Sequence, residues 1–238
     1  MVVEGRRGKT VNTAPGLPSS MHKTVTVDLV EGILEENRII ARRNREHLRS
    51  HGVRAFDLLG AVGSGKTMLI ERLSELLSAR GVKVGAIAGD VAGDDDHRRF
   101  LAKGILSENL NTGKECHLDA HLVEHALEHL DLDSIDVLFI ENVGNLVCPA
   151  DFPLGAERRV VVISTTEGDD TVRKHPLIFR DADVCVINKV DLAGPVGVDV
   201  DVIEGDFRTV NGHAPFIRTN AKTGEGVGEL LEALLGQV

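Results

Sequence analysis

Tryptophan and tyrosine are absent, phenylalanine occurs seven times and cysteine three times. Without aromatic platforms, recognition of nucleic acid by base stacking is excluded as a principal mode. A net charge of −10 likewise argues against phosphate backbones as partners. Three cysteines do not suggest a disulfide framework and point to a reducing compartment. No apolar run reaches the length of a membrane span and no leader pattern opens the chain, so a cytoplasmic protein without membrane or nucleic-acid partners is expected. No solenoid repeat is visible. The 238 residues, 42% of them hydrophobic, suffice for one α/β domain with a proper core.

The most informative stretch is Gly60-Ala61-Val62-Gly63-Ser64-Gly65-Lys66-Thr67, which reads G-x-x-x-x-G-K-T. It follows the apolar run from Val53 to Leu59 and opens a helical pattern at Met68, Leu69, Leu73, Leu76 and Leu77. Strand, glycine loop and helix in that order form a phosphate-binding loop. Gly60, Gly63, Ser64 and Gly65 let backbone N–H groups curl around phosphates at a helix N-terminus. Lys66 is placed to reach the β- and γ-phosphates, and the Thr67 hydroxyl to ligate Mg2+.

Residues 1–22 lack periodicity and read as a disordered tail. The remaining 23–238 read as a single domain that opens with a helix over 26–51, stopped by Gly52. Arg38, Arg42, Arg43, Arg45 and Arg49 give that helix a basic face, either solvated or suited to an acidic partner. A strand over Val82–Ala88 leads to Asp90, a carboxylate placed at the strand edge to help hold Mg2+. Asp94-Asp95-Asp96 caps a short helix, with a Mg2+ role for one of the three as the alternative. Leu118, Leu122, Ala126, Leu127 and Leu130 mark the buried face of a further helix. Histidines at 117, 121, 125 and 129 run beside it, as a solvated helix side or a metal relay. Cys116-His117 offers a thiolate and an imidazole, both good ligands for Zn2+ or Ni2+, but equally compatible with an ordinary polar surface.

The strand Ile135–Ile140 runs into Glu141-Asn142-Val143-Gly144-Asn145, where phosphate-loop proteins place their γ-phosphate sensor. Gly144 would approach that phosphate, and Glu141 would act through Mg2+-bound water. Lys66, Asp90 and Glu141 form the candidate catalytic set, and Thr67, Asp90 and Glu141 the candidate Mg2+ set. Cys148 follows in a loop attached to the sensor, whereas Cys185 falls inside an apolar strand and reads as core. A strand over Arg159–Thr165 precedes loop and helix to Arg180, and Asp183–Ile187 leads into Asn188-Lys189-Val190-Asp191. This N-K-x-D motif reads guanine: the Asp191 carboxylate accepts from N1–H and the 2-amino group together, which adenine cannot offer. Lys189 would lie along the base, Asn188 would tie the loops together, and Ala221, beside Lys222, would offer its N–H to the 6-oxo group. A strand over Ala214–Thr219 and a helix over Val227–Leu235 close the chain. The nucleotide read is GTP.

From about Met21 to the end the chain resembles the HypB family of nickel-delivery GTPases in [NiFe]-hydrogenase maturation, in its archaeal short form. The segments that carry the resemblance are GAVGSGKT (60–67), NTGKECHLDAH (111–121), ENVGNLVCPADF (141–152), ISTTEGDDT (163–171) and NKVD (188–191). It implies an α/β P-loop NTPase fold of SIMIBI type, mostly parallel, with helices on both sheet faces. It also implies a homodimeric GTPase that binds Ni2+ or Zn2+ through Cys116, His117 and Cys148, with His121 as a further ligand, and that serves a hydrogenase large subunit or a maturation partner. The N-terminal Cys-rich nickel motif of many bacterial members is missing, which leaves only the GTPase-domain metal site. The related urease GTPases show Cys-Pro-His where this chain has Cys116-His117. Hydrolysis is expected to be slow, because Asn145 stands where a water-orienting glutamine is often found and no arginine finger is evident.

Overall fold

Six apolar runs and one polar segment become seven parallel strands in the computed structural model, which describes residues 19–236. Of the tail expected over 1–22, residues 1–18 lie outside the described residues, and Ser19–His22 already belong to a helix. The chain runs α1 (Ser19–Ser50), β1 (Arg54–Leu59), α2 (Lys66–Ala79), β2 (Val84–Asp90), α3 (Asp95–Ala102), β3 (Leu106–Asn111), α4 (Ala120–His129) and β4 (Val137–Glu141). It continues with β5 (Arg158–Ser164), α5 (Thr171–Lys174), α6 (Pro176–Arg180), β6 (Val184–Asn188), α7 (Ala193–Val196), α8 (Val200–Val210), β7 (Phe216–Arg218) and α9 (Val227–Leu235). The strand order is β3-β2-β4-β1-β5-β6-β7, all parallel, in place of the mostly parallel sheet expected.

A parallel sheet needs both faces covered, and the alternation along β1 shows how this is done. Phe56 and Leu58 pack under α2 and α9 with Leu69, Leu73, Leu230 and Leu234. Ala55 and Leu59 face the other way, into two separate apolar clusters, one beneath α1 and α4 and one beneath α5, α6 and α8. Asp57, between them in sequence, is fully buried.

The pattern does not announce β3 or α8. Strand β3 is the polar edge segment LSENLN, specified by its pairing to β2 and not by hydrophobicity. Helix α8 follows valines alternating with aspartates, a strand-like pattern. Ile203 and Phe207, four apart and buried, decide for helix, with Asp199 capping through a bond from Asp201 N–H.

Helix α1 starts well ahead of the expected residue 26. Two buried asparagines dock it. Asn37 accepts from Ala120 N–H at 2.8 Å and donates to the Pro153 carbonyl at 2.9 Å, while Asn44 donates to the carbonyls of Ala120 and Leu154. Its basic face is exposed, and Arg43 pairs with Glu124 of α4 across 3.2 Å.

Candidate functional site

The C-terminal ends of β1, β4 and β6 bring the phosphate loop, the segment 141–148 and the N-K-x-D loop to one edge of the sheet. Gly65 adopts φ 103°, a left-handed conformation open to glycine, and a side chain there would collide with the Asn188 amide. Gly144 lies so close to Val62 that any Cβ would overlap the loop backbone. Glycine at these two positions is what allows three separate loops to touch.

Lys66 Nζ curls back onto the Gly60 and Ala61 carbonyls, at 3.2 Å each. Burial holds its ammonium below the usual lysine range, opposed chiefly by Glu141. Thr67 Oγ1 donates to Glu141 Oε1 at 2.9 Å. The second carboxylate oxygen, Oε2, is buried with no hydrogen-bond partner. Burial pushes the Glu141 carboxyl up to about 7, against the pull of Lys66. An orphaned carboxylate oxygen beside a threonine hydroxyl fits a hard divalent cation with oxygen ligands. Asp90 and Asp96 line the same cleft, as do Met68, Arg99 and Lys189. Asp90 Oδ1 accepts from Val91 N–H at 2.6 Å, so one of its oxygens is already engaged by its own turn.

Sequence reasoning named Asp96 only as one of three aspartates and did not name Arg99. Helix α3 aims both into the cleft, where Glu71 grips Arg99 through two 3.0 Å bonds. Glu167 was also missed. Its carboxyl, raised to about 7 by burial, caps Ser164 N–H at 2.9 Å, and the charges of Lys66 and Lys189 oppose that rise.

The N-K-x-D loop interlocks with the phosphate loop and the segment at Ala221. Asn188 donates to the Ser64 carbonyl at 2.9 Å and accepts from Ala221 N–H at 3.0 Å, so the tie between loops expected of it is present. Ala221 N–H, expected to meet a guanine 6-oxo group, donates here to Asn188 Oδ1. Lys189, with φ 60°, reaches Gly63 O at 2.6 Å, and Lys222 N–H is taken by Asn220 at 3.1 Å. Asp191 is exposed at the rim, free to accept.

Cys116, His117 and Cys148 come together: their ligand atoms all lie within 4.8 Å of one another. Cys116 is exposed, and His117 is partly covered by the Phe152 ring at 4.1 Å. The neighbouring Cys148 thiol, through a hydrogen bond, raises the Cys116 thiol above its ordinary value, and burial adds to this. Burial lowers His117, favouring the neutral imidazole that binds metals. Two thiols beside a neutral imidazole are a donor set suited to Zn2+ or Ni2+. His121 is not in this cluster. One turn along α4 it is exposed, 3.6 Å from Glu124 and edge-on to the His125 ring at 4.6 Å. Cys185 is fully buried in β6, as read.

The segment 141–148 spans both sites. Asn145 N–H bonds to Gly60 O at 3.0 Å, and its side-chain amide donates to Cys116 O at 3.2 Å. That amide is thereby turned towards the Cys116 backbone.

Residues 55–218 match the CobW/HypB/UreG nucleotide-binding domain. The probable hydrogenase maturation factor HypB of Methanocaldococcus jannaschii is 54% identical over 212 residues, covering 89% of this chain and 96% of that protein. The crystal structure of hydrogenase maturation factor HypB from Archaeoglobus fulgidus is 50% identical with a TM-score of 0.79, covering 85% of this chain and 98% of that one. HypB from Helicobacter pylori, solved in complex with nickel, is 32% identical with a TM-score of 0.80, covering 84% and 94%. The chain belongs to the CobW/HypB/UreG family and, within it, to the HypB hydrogenase maturation factors.

Proposed function

From that membership we propose that the chain is a GTP-hydrolysing metallochaperone, which binds Ni2+ at Cys116, His117 and Cys148 and releases it to a hydrogenase-maturation partner when its nucleotide changes. The observation that carries this reading is the continuity of one segment. Glu141 touches Thr67, Gly144 abuts Val62, Asn145 bonds to both Gly60 and Cys116, and Cys148 is a ligand candidate.

In this reading the phosphate loop and Lys66 hold the β- and γ-phosphates, and Asp191 selects guanine. Thr67, Glu141 and Asp90 would hold Mg2+, which when bound supplies charge neutralisation at the phosphates. The γ-phosphate draws the Gly144 backbone inward; its loss on hydrolysis lets the segment relax. Movement of the segment carries Cys148 relative to Cys116. A coupling of about 1–3 kcal/mol suffices for a 5- to 150-fold change in metal affinity. Three ligands per chain leave a four-coordinate ion one short, so a homodimer that apposes two clusters completes the site.

The test is calorimetric titration of Ni2+ into reduced protein, with GDP and with a non-hydrolysable GTP analogue. Different affinities that become equal in Cys148→Ala support the switch. Equal affinities in the unaltered protein reject it and leave the metal as a fixed clamp.

A further inference from the structure

Asp57 is an expensive residue for a central strand. It lies at the middle of β1, beside Ile140 of β4 and Arg159 of β5, with its side chain fully buried. Its neighbours on the same face, Ala55 and Leu59, belong to apolar clusters, so stability alone would be served by another apolar residue. The nucleotide site does not use it: the cleft is lined by Glu141, Asp90 and Asp96.

A buried partner, Asn142, and a partly buried one, Arg159, flank the carboxylate. Asn142 Nδ2 donates to Asp57 Oδ1 at 3.4 Å, and Arg159 Nε stands 3.8 Å from Oδ2, an ion pair without a hydrogen bond. Each partner reaches onward to a metal-ligand loop. The Asn142 Oδ1 accepts from Leu118 N–H and Val143 N–H, at 3.0 Å each, which fixes the backbone just after His117. Arg159 donates to the carbonyls of Pro149, at 2.6 Å, and Ala150, at 3.0 Å, which fixes the turn that begins at Cys148. Asn142 itself follows Glu141 directly and bonds through its N–H to Leu58 O at 3.0 Å.

We propose that Asp57 is a positioning residue for the metal site, holding the Cys116–His117 loop through Asn142 and the Cys148 turn through Arg159, so that three ligands from two distant segments meet at one point. This rests on the reading that those three residues bind metal. The carboxylate accepts from one partner and attracts the other's charge, which no apolar residue can do, and the network hangs from β1, the strand that leads into the phosphate loop. Groups that orient metal ligands from outside the coordination sphere commonly govern affinity by 10- to 100-fold.

Asp57→Asn keeps the shape and removes the charge, whereas Arg159→Gln cuts the bonds to the Cys148 turn. Ni2+ is titrated into each reduced protein at fixed GDP, with the thiolate-to-nickel absorption recorded at saturation and GTP affinity and thermal melting measured alongside. The expected result is Ni2+ binding about 10-fold weaker or more in both variants, with shifted thiolate bands and GTP affinity unchanged. Variants that bind Ni2+ as the unaltered protein does, with the same spectrum, overturn the proposal. Equal losses of Ni2+ and GTP binding also overturn it, since the residue would then only support the fold. If the unaltered protein binds no Ni2+, the metal reading itself fails and this inference falls with it. Should one variant not fold, the other carries the same comparison.

Discussion

The side-chain amide of Asn145 donates to the carbonyl of Cys116 across 3.2 Å, from a residue whose own N–H is bonded to the phosphate loop. Few contacts join the two sites so directly. Asn145→Ala removes that bond, together with the one Oδ1 accepts from Val147 N–H at 2.8 Å, and leaves the backbone one. A bond of this kind is worth about 1 kcal/mol. The expected outcome is a several-fold smaller difference in Ni2+ affinity between GDP and GTP-analogue states, with nucleotide affinity nearly unchanged. Paired titrations check it, and an undiminished difference assigns the coupling to other contacts.

The Glu141 carboxyl, raised to about 7, must lose its proton before it can ligate Mg2+. As pH falls below 7 the protonated fraction rises, so the Mg2+-dependent part of GTP affinity should weaken between pH 7.5 and pH 6, by about tenfold per unit at most. Glu141→Gln should be weak at both values and flat between them. Nucleotide titrations with and without Mg2+ read this directly. A parallel slope in the glutamine variant would move the titrating group elsewhere, to Glu167 first.

The exposed position of His121, facing Glu124, predicts that His121→Ala alters Ni2+ affinity less than about twofold, within the usual range for surface changes. Cys116→Ala, His117→Ala and Cys148→Ala should each cost about tenfold or more, because each removes one ligand of a site already short of four. Competition against a colorimetric chelator ranks the four variants. A large loss in His121→Ala would show that α4 contributes a ligand across a dimer interface.

For the base, Asp191→Asn exchanges an acceptor for an amide that can also donate. GTP affinity should fall by about 100-fold or more, and xanthosine triphosphate, which carries a 2-oxo group, should bind better than GTP. Unchanged GTP preference would place guanine recognition outside the N-K-x-D loop.

Asp57 makes a prediction about stability. Burial raises its carboxyl to about 6 from 3.8, with Arg159 pulling the other way. The folded protein therefore keeps this proton up to about pH 6, whereas the unfolded chain releases it near 3.8. Stability from this group is fully present below 3.8 and is lost as pH rises through 6, by about 3 kcal/mol. Asp57→Asn removes that loss. Relative to the unaltered protein, the variant should gain about 3 kcal/mol between pH 4 and pH 6.5, read from denaturant melts. A constant difference across the range would mean that the carboxylate is ionised throughout.

By itself, the sequence determined the strand–loop–helix units, the phosphate loop, the N-K-x-D loop and the local candidates Cys116-His117 and Cys148. Each is a short-range requirement: glycines for a curled backbone, apolar runs for a sheet covered on both faces, a carboxylate to match a base edge. It could not say that β3 is a strand or that the run from Val200 is a helix, because pairing to β2 and packing of Ile203 and Phe207 decided those. Nor could it show that His121 stands apart from the three clustered residues, or that Ala221 N–H donates to Asn188. Only the tertiary structure brought Cys148 to Cys116 and set Asp57 between Asn142 and Arg159. Such meetings depend on strand order and register, which bring side chains from β1, β4 and β5 side by side, and no local pattern records which strands will be neighbours.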